Sequence, residues 1–290
     1  MLGILLIAKP GGVSSHDVVD EVRRRLSTRR VGHAGTLDPQ ATGLLVVAVG
    51  PATRFLQYLP LEPKEYVGTI RFGVETETFD GEGAVVAQHP APDDLPGAVE
   101  RALPAFRGLI KQVPPMFSAV KVEGKPLYKY AREGKELERA ERTVHIGLLE
   151  IVSVDPPDVE VRVECSGGTY VRTLAHDLGR AVGCGAHLAR LSRVRVGRFT
   201  LGDACSVEAL SKEHVIRLAS ALEPMPLAQL TESQVTDVRE GRAVASPEAF
   251  EDDHVALLGP DGEAFGVARV QGNLLQPECV IPAEAMNGAR

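Results

Sequence analysis

The chain predicts an α+β fold in two parts, on three observations. Apolar runs of strand length recur from the first residues onward, several with alternating periodicity. Between them lie segments whose apolar positions recur every three to four residues behind a capping residue, the grammar of an amphipathic helix. Past Ala221-Leu222-Glu223-Pro224-Met225-Pro226 the pattern changes to short strands joined by turns. Residues 1–223 and 224–290 are therefore expected to form a larger first domain and a small β-rich second one.

Met1 to Ile7 reads as a first strand; it lacks a basic leading region and runs straight into Lys9-Pro10, unlike a signal peptide. Ser14 or Ser15 caps a helix with Val18, Val19, Val22 and Leu26 on its packed side and an arginine cluster on the other. Leu44 to Gly50 is an apolar run that reads as a buried strand, and Lys64 to Gly73 as another. Residues 75–100 form an acidic Gly- and Pro-rich loop leading into a helix near Leu95 to Leu103. Val113-Pro114-Pro115 breaks any helix, and residues 114–142 read as a mobile basic insertion that is not part of the core. Val159, Val161, Val163 and Cys165 alternate with polar residues as in a half-buried strand. Thr169 is placed to cap a helix packed through Val171, Leu174, Ala175 and Leu178, with Tyr170 and Arg172 in its first turn. In the second domain His254 to Leu258 and Ala264 to Val270 flank Gly-Pro-Asp-Gly, a hairpin signal, and Leu274 to Ile281 adds a strand.

At 44% hydrophobic residues the chain has enough apolar side chain for a sizeable core. No apolar run approaches the roughly 20 residues needed to span a bilayer, so no membrane partner is expected. Cys165, Cys184, Cys205 and Cys279 are scattered, with no paired spacing that suggests zinc or a disulfide framework. A reduced, cytoplasmic protein is expected. No phosphate loop, dinucleotide fingerprint or His-rich ligand pair appears, so no cofactor and no metal is expected.

The net charge of −7 argues at first against a nucleic-acid partner, but its distribution argues for one. Residues 224–290 carry the whole of that imbalance, with four Arg against eleven Asp or Glu. In the balanced remainder the basic groups cluster: Arg23, Arg24, Arg25, Arg29 and Arg30 together, ten Lys or Arg against five acids in residues 101–142, and seven Arg against two acids in residues 162–198. Basic stripes on a neutral body suit a phosphate backbone.

The most informative stretch is Gly32-His33-Ala34-Gly35-Thr36-Leu37-Asp38-Pro39-Gln40-Ala41-Thr42-Gly43. A single carboxylate, Asp38, sits among small residues beside the edge of a buried strand, a placement suited to chemistry. A competing local reading makes Asp38 the cap of a helix that begins at Pro39.

This stretch resembles the signature of the TruB family of tRNA pseudouridine synthases, as does the opening Leu6 to Ser15. Cys165-Ser166-Gly167-Gly168-Thr169-Tyr170-Val171-Arg172-Thr173-Leu174 and Gly185-Ala186-His187-Leu188-Ala189-Arg190-Leu191 are similar to its second and third motifs. The resemblance implies a pseudouridine synthase fold, with a mixed, mainly antiparallel central sheet flanked by helices and loops, and a small C-terminal PUA-like β-barrel. It implies an expected monomer that converts the uridine at tRNA position 55, in the T loop, to pseudouridine. The partner is the T arm of tRNA.

That reaction breaks the bond from ribose C1′ to uracil N1, turns the base and joins C5 to C1′. Positive charge builds on the sugar, and a carboxylate stabilises it or bonds to it, as in glycosidases. No water is activated, so one carboxylate suffices, and Asp38 fits. Whether Asp38 attacks C1′ or the base stays open. Burial alone raises a carboxyl pKa and a nearby cation lowers it; by resemblance Arg172 is that cation. Tyr66 corresponds to the family's active-site tyrosine, which stacks on the base and assists loss of the C5 proton. His33 aligns with the histidine that takes part in extruding the nucleotide, a step that base chemistry in a structured loop requires. Tyr170 and Leu191 line the substrate pocket by the same correspondence, and Lys9 and Pro10 support the Asp38 loop. Two departures remove positive charge near the RNA path: Gly167 stands where a lysine is common, and Ser192 where an arginine is. Two other classes compete, a non-catalytic RNA-binding or chaperone protein on the same scaffold and an unrelated glycosidase using Asp38. A pure binder needs none of Asp38, Tyr66 and Arg172, and no convincing second carboxylate supports a glycosidase.

Overall fold

The computed structural model describes residues 1–118, 120–122 and 124–287. The side chains of Lys121 and Arg132 lie outside the described residues, as do Ala119 and Glu123 of the same basic insertion.

The chain opens with β1 (Gly3–Lys9), α1 (Ser15–Arg25), β2 (Val31–Ala34), β3 (Thr42–Val49) and a 3-10 run over Gly50–Tyr58. Then come β4 (Lys64–Phe72), β5 (Val74–Thr76), β6 (Val85–Gln88), α2 (Leu95–Ala102) and β7 (Gly108–Gln112). The basic insertion holds β8 (Lys121–Val122), β9 (Lys125–Pro126) and α3 (Leu127–Arg132). It is followed by β10 (Arg142–Asp155), β11 (Asp158–Cys165), α4 (Val171–Val182) and β12 (Ala186–Val196). After β13 (Phe199–Thr200), β14 (Cys205–Ser206) and α5 (Leu218–Leu222) come β15 (Leu227–Gln229), α6 (Glu232–Arg239) and β16 (Val244–Ala245). The last elements are β17 (His254–Leu258), β18 (Ala264–Gln271), β19 (Leu274–Val280) and α7 (Ala283–Asn287). Mixed α and β content with mainly antiparallel pairing matches the expected α+β class.

Two compact units divide the chain. One contains Met1–Pro39, Gly43–Leu61 and Arg198–Arg290; the other contains Gln40–Thr42 and Glu62–Gly197. In the first unit β1 runs antiparallel to β3, from Gly3 opposite Val49 to Lys9 opposite Gly43. β14 pairs with β1 in parallel, and β2 pairs with β3. Leu44 to Val49 are all fully buried, which explains an apolar run without alternation. Leu45, Val47 and Val49 pack with Leu5 and Ile7 against Val18, Val19 and Val22 of α1. Ser14 caps that helix: its hydroxyl accepts from Asp17 N at 3.1 Å while the Asp17 carboxylate accepts from Ser14 N at 2.7 Å, a reciprocal capping box.

The same unit holds a five-stranded sheet in the order β15-β17-β18-β19-β16, with the expected β17–β18 hairpin. Val235 and Val238 of α6 pack with Leu257, Phe265 and Leu275 beneath it. This sheet is tied to the 3-10 run: Arg54 Nη1 donates to Val280 O at 2.6 Å, and the Tyr58 and His254 rings lie 5.9 Å apart.

In the second unit five strands follow the order β12-β4-β11-β10-β7, all antiparallel. α4 buries Val171, Leu174, Ala175 and Leu178, the face expected from the sequence. Gly179 allows α4 to come close to the start of β12, since a Cβ there would lie 2.2 Å from Ala186 N. Two local expectations need correction. Thr169 does not cap α4: its hydroxyl donates to Ser166 O at 2.8 Å, and Tyr170 occupies the cap position with no side-chain cap bond. The insertion carries regular structure, with a short ribbon and a helix whose Leu127 is fully buried. Among the described residues no helix is long and apolar enough to cross a membrane.

Candidate active site

In the first unit, Asp38 lies on the connection between β2 and β3. No helix follows Pro39, so the helix-cap reading of Asp38 fails: the chain passes through a bend into β3 at Thr42. Both neighbours of Asp38 are fixed. On one side Leu37 N donates to Ser15 Oγ at 2.9 Å and Ser15 Oγ donates to Leu37 O at 3.1 Å. On the other, Pro39 O accepts from Gly12 N at 2.9 Å and from Lys9 Nζ at 2.9 Å. Lys9 is buried, and its ammonium also donates to Pro10 O and Val13 O at 2.9 and 2.6 Å. A buried ammonium needs several acceptors to offset lost hydration, and these carbonyls supply them while pinning the loop. His33, on β2, is half-buried, its ring edge-on to His16 with centroids 6.0 Å apart.

The second unit carries Tyr66, Tyr170, Arg172 and Leu191. Tyr66 is buried on β4, facing Val163 of β11 and Arg193 of β12 in register. Leu191 pairs with Gly68 of the same strand, and its carbonyl accepts from Thr42 Oγ1 at 3.4 Å. Tyr170 is half-buried at the start of α4, with the Arg142 guanidinium 5.9 Å above its ring. Arg172, in the first turn, is buried. Its Nη1 donates to Asp80 Oδ2 at 2.9 Å and to Thr78 O at 3.3 Å, and its Nη2 to Phe117 O at 2.9 Å. One guanidinium thus ties the Thr78–Asp80 loop, the segment after β7 and the helix start together, as its fixed fork of donors permits.

Asp80 escaped the sequence reading. It stands among Glu75, Glu77 and Glu82 in a stretch that looks like a solvated acidic loop, and nothing local sets it apart. Besides Arg172 it receives Glu82 N at 3.1 Å and the Thr78 hydroxyl. Its neighbour Phe79 adopts a left-handed backbone, φ 63°, which costs a non-glycine residue roughly 1–2 kcal/mol. The Phe79 ring stacks on His176 of α4, centroids 3.9 Å apart and planes 12° apart, which holds that strained turn.

Burial pushes the His176 imidazole below its ordinary pKa, against the opposing pull of Asp177 and Glu75. The unfolded chain then binds this proton more readily than the native one. The contribution of His176 to stability is complete above the ordinary value of 6.5 and falls away as pH drops through it. His176→Phe, which retains a ring for the stack, is expected to soften the decline of the melting temperature between about pH 7 and 5. An identical decline in both proteins would dismiss His176 as its source.

The Gly167 departure falls beside Glu62. Gly167 N donates to Glu62 Oε1 at 2.9 Å, and a Cβ at 167 would lie 2.3 Å from that oxygen, so any side chain there displaces Glu62. Among the described residues no three His, Cys, Asp or Glu gather where a metal could be held.

Residues 23–171 match the TruB family pseudouridylate synthase N-terminal domain, and residues 172–228 match the tRNA pseudouridylate synthase B C-terminal domain. The tRNA pseudouridine synthase B of Aromatoleum aromaticum is 42% identical over 293 residues, covering 98% of this chain and 94% of that one. That of Burkholderia mallei is 44% identical over 292 residues, covering 96% of each. Among solved structures, a chain of a Cbf5-Nop10-Gar1 complex is 26% identical with a TM-score of 0.71, over 97% of this chain and 86% of its own. The motifs, the α+β architecture and these matches lead to one assignment: the chain belongs to the TruB family of pseudouridylate synthases.

Proposed function

We propose that the chain isomerises the uridine at position 55 in the T loop of tRNA to pseudouridine, with Asp38 as the reacting carboxylate. Family membership supports the reaction class, and relatives named as tRNA pseudouridine synthases support tRNA as the substrate. The observation that carries the choice of Asp38 is its loop. The two residues that flank it are held by Ser15, Gly12 and the buried Lys9, so the carboxylate has a fixed origin from which to meet a substrate atom. The glycosidic bond breaks, the base turns, C5 bonds to C1′, and the C5 proton is lost while N1 gains one; the product is an isomer and no cofactor is consumed. Tyr66 stacks on the base and assists departure of the C5 proton. His33 takes part in extruding the nucleotide, Tyr170 and Leu191 contact it, and Arg172 orders the Thr78–Asp80 loop and the segment at Phe117. The β15–β19 sheet is taken as the PUA-like module, with residues 1–223 as the catalytic domain, working as a monomer in the cytoplasm. The test is incubation with an unmodified tRNA transcript and mapping of pseudouridine: a single product at position 55 is expected, and its absence or appearance elsewhere overturns the assignment.

RNA affinity is expected to reside mainly in residues 1–223. Changing Lys121, Lys125 and Lys129 together to Ala should weaken tRNA binding and flatten its salt dependence by about 0.7–0.9 of a log unit per lysine that meets a phosphate. Lys125 should contribute least, because it is ion-paired to Glu133 and lies 4.4 Å from the centre of the Tyr130 ring. Deleting residues 224–290 should cost less affinity than the triple change. That deletion removes the bond to Arg54 and the ring contact to Tyr58, so circular dichroism must accompany the dissociation constants. A folded truncation that binds more weakly than the triple variant would show that the acidic module holds RNA.

A further inference from the structure

Gln112 ends β7 and is 1% exposed, an environment in which an amide must find partners on both of its atoms. Both partners belong to one residue. Gln112 Oε1 accepts from Tyr170 N at 3.0 Å, and Gln112 Nε2 donates to Tyr170 O at 3.2 Å. Tyr170 is the cap residue of α4 and has no side-chain cap bond; its carbonyl also accepts Leu174 N at 3.0 Å, so it carries the first carbonyl of the helix. An amide that reads both backbone groups of that residue fixes the direction in which the helix starts. Five residues beyond Gln112 in the same segment, Phe117 O accepts from Arg172. The stretch from 112 to 117 therefore grips the start of α4 at two points, one beneath Tyr170 and one beneath Arg172.

We infer that Gln112 is a positioning residue that sets Tyr170 and Arg172 in their working orientation through its two-bond clamp on the Tyr170 backbone. The inference rests on the reading that Tyr170 and Arg172 serve the pseudouridylation site. Only an amide fills the position well. Met occupies similar space and makes neither bond. An ionised Glu keeps the acceptor for Tyr170 N but has no proton for Tyr170 O and sets an anion against that carbonyl.

The test compares single-turnover pseudouridine formation on an unmodified tRNA transcript for the wild type, Gln112→Met, Gln112→Glu, Arg172→Met and the double variant Gln112→Met with Arg172→Met. Affinity for the same transcript and thermal melting are measured alongside. Gln112→Met is expected to slow the reaction about 10- to 100-fold, the scale of a displacement of roughly 1 Å in a site. Its tRNA affinity should stay close to wild type, because phosphate contacts set affinity. The double variant should be little slower than Arg172→Met alone, since the two changes act through one arrangement. A wild-type rate for Gln112→Met, or losses that multiply in full in the double variant, overturns the inference. Should Gln112→Met not fold, Gln112→Glu decides by the same rate ratio, because it keeps the volume and the acceptor for Tyr170 N while it loses the bond to Tyr170 O. A wild-type rate for Arg172→Met would instead remove Arg172 from the site, and absence of pseudouridine with the wild type would overturn the functional reading itself. A slow Arg172→Met beside a fast Gln112→Met overturns only the role given to Gln112.

Discussion

Asp38→Asn is expected to slow pseudouridine formation by more than about a thousandfold, some 4 kcal/mol of barrier at 1.4 kcal/mol per decade, while tRNA affinity stays within several-fold. The amide has the shape of the carboxylate and cannot supply an anion to a sugar cation or a nucleophile to C1′ or the base. The surroundings of the loop make the experiment clean. Ser15 holds Leu37, and Lys9 and Gly12 hold Pro39, by bonds to the backbone that the substitution leaves in place. An unchanged melting temperature beside a lost rate reports chemistry and not a collapsed loop. Single-turnover rates on a tRNA transcript measure it, and substantial residual activity would remove Asp38 from the reacting role.

Arg172→Met is expected to be nearly as damaging, for a different reason. Removing the guanidinium takes from the Asp80 carboxylate its cation at 2.9 Å and from the carbonyls of Thr78 and Phe117 the donor that Arg172 supplies. Breaking one side of a buried ion pair costs about 3–5 kcal/mol of stability. A fall in melting temperature should therefore accompany a loss of about a hundredfold or more in rate, from misplacement of the loops. Recovery of activity at higher pH would assign the loss to the electrostatic support of Asp38 implied by the family resemblance. A loss independent of pH assigns it to the Thr78–Asp80 and Phe117 network. A wild-type rate removes Arg172 from the site.

Legibility in the sequence followed the range of the interaction. β3 was readable because burial on both faces leaves an unbroken apolar run, and α1 because four apolar positions share one face behind a serine. The pair Ser14-Ser15 shows where local grammar stops. Either residue satisfies the rule for a cap, and nothing local says that Ser14 caps while Ser15 turns inward to hold Leu37. Asp80 and Arg172 lie 92 positions apart, so their pairing is a product of topology that no spacing encodes. Gln112 reads as an ordinary polar residue before a proline pair until the fold buries it. Charge was legible as composition and not as pairing: Arg23 is bonded to Asp20, and Arg24 and Arg25 to Glu21, so the first basic cluster is partly neutralised within its own helix. The site residues themselves were reached through family motifs; the structure adds what holds each of them.

The division of the chain bears on the order in which the protein can be assembled during synthesis. Residues 62–197 leave the first unit and return with their ends fastened to each other, Gly197 N donating to Pro63 O at 2.8 Å and Lys64 facing Val196 in register. The first unit meanwhile needs distant partners for its opening strand: Ile7 faces Cys205, and Ile4 exchanges two backbone bonds with Ile216. As the chain emerges from the ribosome, the inner segment has β4, β7, β10, β11 and β12 in hand while the N-terminal strand still lacks its edge. A late-made strand thus completes the edge of an early-made one, against the usual order in which the earlier part of a chain matures first. The outer edge of β1 is completed only by Cys205, Ser206 and Ile216, whereas the Asp38 loop finds Lys9, Gly12 and Ser15 close by in the chain.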